Sequence, residues 1–297
     1  MAQPLLGALA ALGSSFTWAY ASARYTTSSR TVGSVRVNLV RALVAAPIYV
    51  VVASLLHGRA ATAPMTGASV GWLATSVLCS YGFADILFFS SARSLGISTA
   101  LAIASVYPLW SALAGALLGG EPFGVARLVG VLLCIGGIVA LVRLQSRTLE
   151  KSEGSALVGL IFALLTSLLW AGNTYTVKRG SVGLDVWQAN AVRYTVAILV
   201  LLPNALLQRS KIPWSTAPTG GWLRLGPPIL ADCILGSVLF VYGLSNADLS
   251  VAATLSSLAP LVSVPVAIAL GAERWSLARA LAIAVTVGGA LLLVGAG

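Results

Sequence analysis

Apolar runs of about twenty residues succeed one another along almost the whole chain, and the short joints between them hold Gly, Pro, Ser and nearly every charge. A run of that length crosses the hydrocarbon core of a bilayer as a helix, where each peptide group must find its partner within the protein. The low aromatic alternation argues against a membrane barrel. Ten spans are predicted, at residues 4–23, 35–56, 71–92, 97–118, 125–142, 156–177, 186–207, 223–244, 250–270 and 277–294. Of 297 residues 58% are hydrophobic and 9% charged, which excludes a soluble domain with a solvated charged skin. The first run lacks the Lys/Arg-rich start and cleavage site of a secretory leader, so it is expected to be the first span. The formal net charge of +10 is expected to reflect loops facing anionic lipid, because no basic tract suits nucleic acid. Cys79, Cys134 and Cys233 sit inside apolar stretches and read as packing residues, at spacings that suit neither a disulfide framework nor a zinc site.

Sliding the chain against itself by about 152 residues brings the two halves into register without a gap over most of their length. Asn38 and Arg41 fall on Asn190 and Arg193, Trp18 on Trp170, Ser105 on Ser257, Pro108 on Pro260, Glu121 on Glu273, Arg127 on Arg279, and Gly136-Gly137 on Gly288-Gly289. Leu and Ala match cheaply in such a composition, but a shared register of Trp, Asn, Arg, Pro and Glu does not arise that way. The expected organisation is a first five-helix repeat at 1–144, a polar joint at 145–154 and a second repeat at 155–297. Five is odd, so the second repeat enters the membrane inverted. Sorted by alternation, twelve of the eighteen Lys and Arg collect on one face and four on the other. The richer face is expected to be cytoplasmic, which puts both termini on the periplasmic side of an inner membrane.

These features together resemble the EamA-type drug/metabolite transporters. The resemblance rests on two repeats that each carry a Trp late in the first helix, an Arg early in the second, a Pro amid the fourth, a Gly-rich turn with Glu (GGEP at Gly119 to Pro122, GAERW at Gly271 to Trp275) and a Gly-Gly pair in the fifth. Within that group the chain is most similar to the YddG-type amino-acid exporters, on general similarity alone. The resemblance implies an all-α integral membrane protein, with ten transmembrane helices in two inverted five-helix repeats around a central cavity. It further implies export of small metabolites by alternating access, without ATP hydrolysis in the chain.

Several polar residues lie at depth. Ser14, Trp18 and Ser22 share one face of the first helix, and Thr166, Trp170 and Thr174 share one face of the sixth. Such a stripe suits the wall of a polar cavity, though small hydroxyls and Trp also serve helix packing. Asp85 and Asp232 are the acidic residues well inside spans, with Tyr81 one turn from Asp85. A carboxylate there suits a proton site or the counter-ion of a substrate ammonium, or else a pairing with a membrane arginine. Arg41 and Arg193 lie within snorkelling reach of the interface, each three residues after an Asn, as anchors, helix ties or carboxylate binders. Pro108 and Pro260 should kink their helices as hinges, with Ser105 and Ser257 one turn earlier completing the cavity. Glu121 and Glu273 read as caps of the helix that follows each. The candidate substrate site is therefore Trp18, Ser22, Tyr81, Asp85, Ser105, Trp170, Thr174, Asp232 and Ser257.

Gly67 to Gly71 reads GASVG, the nucleophile-elbow pattern around Ser69, but it precedes a membrane helix and lacks the strand-turn-helix context. His57 is the sole histidine and no Walker A sequence occurs, so neither a His-based metal site nor an ATP pump is expected. The expected partners are a small zwitterionic substrate, the lipid bilayer and possible coupling protons, in a monomer without cofactor or nucleic acid. Two alternatives stand beside this one. An exchanger of phosphorylated or nucleotide-sugar metabolites would want several converging cations, and an integral-membrane enzyme would want a catalytic constellation.

Overall fold

A computed structural model describes residues 2–58, 62, 64–95, 100, 103–122, 124–145, 155–208, 213, 215–218, 220–259, 261 and 276–295. The described residues form helices and connecting turns, with no strand among them. The first repeat supplies α1 (Ala2–Val32), α2 (Ser34–His57), α3 (Gly67–Leu95), α4 (Tyr107–Gly119) and α5 (Val125–Gln145). The second supplies α6 (Ala156–Gly180), α7 (Val186–Leu207), α8 (Trp222–Asn246), α9 (Leu249–Ser256) and α10 (Leu277–Gly295). Among these, α2, α3, α6, α7 and α8 are each long and apolar enough to cross a membrane unaided by any other argument.

Two departures from the expected spans matter for function. First, α1 continues to Val32 instead of ending near residue 23. Its polar stretch stays helical because Thr26 and Ser29 turn their hydroxyls back onto the carbonyls of Ser22 and Thr26, at 2.9 and 2.8 Å. The chain then reverses at Gly33, whose φ of 82° lies in the left-handed region that favours glycine. Second, the fourth and ninth spans are broken. Ser105 and Val106 form a turn, and α4 starts afresh at Tyr107. Pro108 therefore lies in a first helical turn and not in mid-helix, where its missing N–H is one of the donors a helix start leaves unpaired anyway. The repeat-equivalent Ser257 caps the end of α9, so the break is duplicated; Pro260 lies outside the described residues.

The third and eighth spans carry a second duplicated irregularity. Leu78–Gly82 within α3 and Leu230–Gly236 within α8 are wound as π-helix, starting at repeat-equivalent positions. Insertions of this kind rotate a side chain out of helical register, and they recur at functional sites. They present Tyr81 and Asp232 to the middle of the bundle.

Helix partnerships express the repeat directly. α1 packs on α8 and α3 on α6, while α2 packs on α7, α4 on α9 and α5 on α10. Exchanging the two repeats turns the first pairing into the second and each of the others into itself, the pattern of a pseudo-twofold relation. The α5–α10 seam is made close by glycine: a Cβ at Gly289 would meet Gly130 O at 2.8 Å, and one at Gly137 would meet Ala282 O at 2.9 Å.

Candidate functional site

Where the two repeats meet, a cavity of about 150 Å³ opens between α1, α2, α3, α4, α6, α7, α8 and α9, space for on the order of ten water molecules. Eight of the nine candidate substrate residues line it: Trp18, Tyr81, Asp85, Ser105, Trp170, Thr174, Asp232 and Ser257. Ser22 does not. The cavity takes Ser14 and Trp18 from α1 and Trp170 and Thr174 from α6, so along both helices it extends from the tryptophans toward the end of the bundle that carries the termini. Beyond Trp18, α1 closes on α8, with the Tyr25 hydroxyl donating to Pro228 O at 3.1 Å. Ser22 lies half-buried on this stretch, outside the cavity. Thr166, the repeat equivalent of Ser14 on α6, is buried outside the cavity and donates to Phe162 O at 2.8 Å.

The apolar wall consists of rings. Trp18 and Trp170 meet edge to face with centroids 6.4 Å apart, and Trp170 also packs against Phe88 and Tyr107 at 5.3 and 5.9 Å. Tyr107 links the repeats through its hydroxyl and Ser256 Oγ, 3.0 Å apart.

Four charged side chains share this space. Arg41, expected within reach of the interface, is instead 2% exposed. Its Nη1 donates to Asp85 Oδ2 at 3.1 Å and its Nη2 to Asp232 Oδ2 at 3.0 Å. One arginine thus neutralises one of two carboxylates from opposite repeats, which explains why it stays at depth: a paired, hydrogen-bonded charge tolerates burial that a lone one does not. Asn38 orients the group, accepting from Arg41 Nη1 at 2.8 Å and donating to Asp85 Oδ2 at 3.3 Å. The rings of Tyr25 and Tyr81 lie 4.3 and 4.8 Å from the guanidinium carbon, a cation–π cage. Tyr81 does not bond to Asp85; its hydroxyl donates to Tyr194 at 3.0 Å, and Tyr194 in turn lies 2.6 Å from Ser237 Oγ.

Arg193, the repeat partner of Arg41, has neutral company. Nε donates to Ser76 Oγ at 3.2 Å, Nη1 to Asn190 Oδ1 at 3.2 Å and Nη2 to Asn173 Oδ1 at 3.3 Å. It too is buried, lines the cavity and ties α7 to α3 and α6.

Asn173, Tyr107, Ser80, Ser237 and Phe240 line the cavity without having been picked from the sequence. The repeat register held a signal for two of them, since it carries Asp85 onto Ser237 and Ser80 onto Asp232. Each acid thus has a serine as its counterpart in the same cavity.

The remaining motifs have other tasks. Ser69 of GASVG forms a capping box with Thr66 at the start of α3, accepting from Thr66 N at 2.9 Å. His57 pairs with Asp185, which itself caps α7. Glu121 does cap a helix, but not the one that follows it. Its carboxylate accepts from Leu249 N, at 2.7 Å to the nearer oxygen, and so caps α9 in the other repeat. Gly115 makes this possible, because a Cβ there would approach Glu121 Oε2 to 2.8 Å. Glu273 lies outside the described residues.

No curated protein matches the chain. A solved crystal structure superposes with a TM-score of 0.75 at 21% identity, over 98% of this chain and 95% of its own, and so shares the fold. The sequence profile described as the EamA-like transporter family matches twice, over residues 5–143 and 157–295. With that match running through both halves of a ten-helix bundle, the chain belongs to the EamA-like transporter family and is a multi-pass membrane transporter of small molecules.

Proposed function

We propose that this protein is a secondary active exporter of small zwitterionic metabolites, amino acids foremost, working by alternating access in the inner membrane with both termini periplasmic. The observation that carries this reading is the charge balance of the cavity. Arg41 and Arg193 set against Asp85 and Asp232 sum to zero, while the arginine held by two carboxylates leaves one end net negative and Arg193 leaves another positive. In a low-dielectric interior a net charge on the cargo would be costly, whereas a molecule with separated charges and no net charge is matched. The aromatic wall suits an apolar side chain.

Phosphorylated or nucleotide-sugar cargo fits less well, since its multiple negative charges would want cations in excess and the two arginines are offset by two aspartates. Counterflow in proteoliposomes with labelled amino acids, a sugar phosphate, a nucleotide sugar and a cationic dye tests the reading. Amino-acid exchange is expected; exchange confined to the phosphorylated substrates would replace it.

A further inference from the structure

The two cavity arginines are equivalent by the repeat and opposite in their chemistry. Arg41 donates to two carboxylates, whereas Arg193 donates only to the hydroxyl of Ser76 and the amide oxygens of Asn190 and Asn173, and it has no ion pair among the described residues. Its bonds, at 3.2 to 3.3 Å, are long for a charged donor, whose bonds to carboxylates run nearer to about 2.8 Å. A buried guanidinium with neutral acceptors keeps most of its charge uncompensated, and burying such a charge without a counter-ion is expensive. It is retained here on the wall of a cavity.

We propose that Arg193 is the carboxylate-binding residue of the transport site. Asn173 and Ser76 hold its planar fork, and the substrate carboxylate supplies the counter-ion that the chain itself omits. The pair Asp85 and Asp232, which share Arg41 and keep one negative charge in excess, take the ammonium end. The cargo is thereby oriented, and its recognition requires both termini of an α-amino acid. Asn173 is the position that decides this: a carboxylate there would satisfy Arg193 internally and remove the site. This assignment rests on the zwitterion reading and goes beyond it by fixing which side chain takes which end.

The test uses the purified full chain and two ligand sets, L-leucine and L-phenylalanine, each with its amide, which lacks the carboxylate, and its N-acetyl derivative, which lacks the ammonium. Binding is measured by calorimetry. Wild type should bind each amino acid more tightly than either derivative. Arg193→Gln should weaken the amino acids about tenfold or more, leave the amides within about twofold, and so erase the preference between them. Asp85→Asn should erase instead the preference over the N-acetyl derivative. Arg193→Gln removes two helix ties, to α3 and α6, and is liable to misfold, so Asn173→Asp is measured beside it. It keeps the arginine and the side-chain shape, and should likewise abolish the preference for the amino acid over its amide. If Asn173→Asp, or Arg193→Gln shown to keep the wild-type melting temperature, weakens amino acid and amide alike or retains the wild-type preference, Arg193 is a structural tie and the assignment is overturned while the zwitterion reading stands. If wild type itself binds neither amino acid, or does not prefer it to both derivatives, the zwitterion reading fails and takes the assignment with it.

Discussion

Asp85→Asn keeps the shape of its side chain and deletes the charge, and Arg41 still has Asp232 at 3.0 Å, so the variant is expected to fold. What changes is the excess negative charge of the cluster formed by Arg41, Asp85 and Asp232, and net transport in proteoliposomes should be lost. Exchange separates two roles: a proton carrier is dispensable for exchange, because the loaded carrier need not return empty, whereas a counter-ion of the substrate is needed in both assays. Parental rates in both would make Asp85 purely structural. Arg41→Gln is the harsher change, because it leaves two buried carboxylates facing each other without the cation; a loss of about 3–5 kcal/mol is expected, read as poor expression or a lowered melting temperature. Tyr81→Phe removes only the donor to Tyr194 and should cost roughly 0.5–1.5 kcal/mol. At this scale much was legible. Trp, Asp and Arg at depth are rare in an apolar chain, and their scarcity marks them. That both acids converge on one arginine was not legible, because Asp85 and Asp232 are not repeat equivalents and only packing brings them together. The snorkelling expected of Arg41 fails for the same reason, since a span position says how far the interface is and not what waits at depth.

Elements follow the repeat more faithfully than their ends do. Hydropathy located ten helices, yet it missed the extension of α1, where hydroxyls bonding back to their own helix replace apolar side chains, and the breaks at Ser105 and Ser257, which an apolar run conceals. Pro108 pointed to the fourth span correctly as a place of irregular backbone, but proline reads equally as a kink or as a helix start. The π segments left no sequence mark. That of α8 is held from outside: Tyr49 donates to Cys233 O at 2.9 Å and Ile234 O at 2.8 Å, carbonyls within the irregular turn. Tyr49→Phe is therefore expected to destabilise the fold by about 1–3 kcal/mol and, by loosening the turn that presents Asp232, to lower transport more than its melting temperature alone would explain. Transport matching wild type per folded molecule would show that the π turn holds itself. At the α5–α10 seam, Gly137→Val should lower thermal stability by overpacking, about 1–3 kcal/mol, while Gly136→Val, at a position where a Cβ meets nothing, should not.

Taken whole, the molecule is fastened across its repeats at the end that carries the termini by charges. Lys178 Nζ lies 2.7 Å from Glu121 Oε1 and donates to Ala247 O at 2.7 Å; Arg127 pairs with Asp248 at 2.5 Å; and His57 pairs with Asp185. Every one of these ion pairs joins the first repeat to the second, and all lie within the turns connecting α2 to α3, α4 to α5, α6 to α7 and α8 to α9 or within a helix turn of them. In alternating access by rigid repeats, the contacts between repeats at a closed end must break for that end to open. Lys178 sits one turn beyond Thr174 of the cavity wall on α6, so it stands between the cavity and this face. Lys178→Met removes its bonds to Glu121 and Ala247 while keeping an unbranched stem, and Glu121→Gln weakens the same tie from the other side. In a background without Cys79, Cys134 and Cys233, a cysteine placed at position 174 should then react several-fold faster with a membrane-impermeant thiol reagent. High salt should narrow the difference between variant and parent only partly, because the pairs of the parent are half-buried and incompletely screened. If the termini are periplasmic as proposed, reagent added outside intact cells produces the effect; a cytoplasmic C-terminal reporter, or labelling only after the cells are opened, reverses the orientation. Unchanged labelling from both sides would mean that these ion pairs fix the loops to one another without closing the path to the cavity.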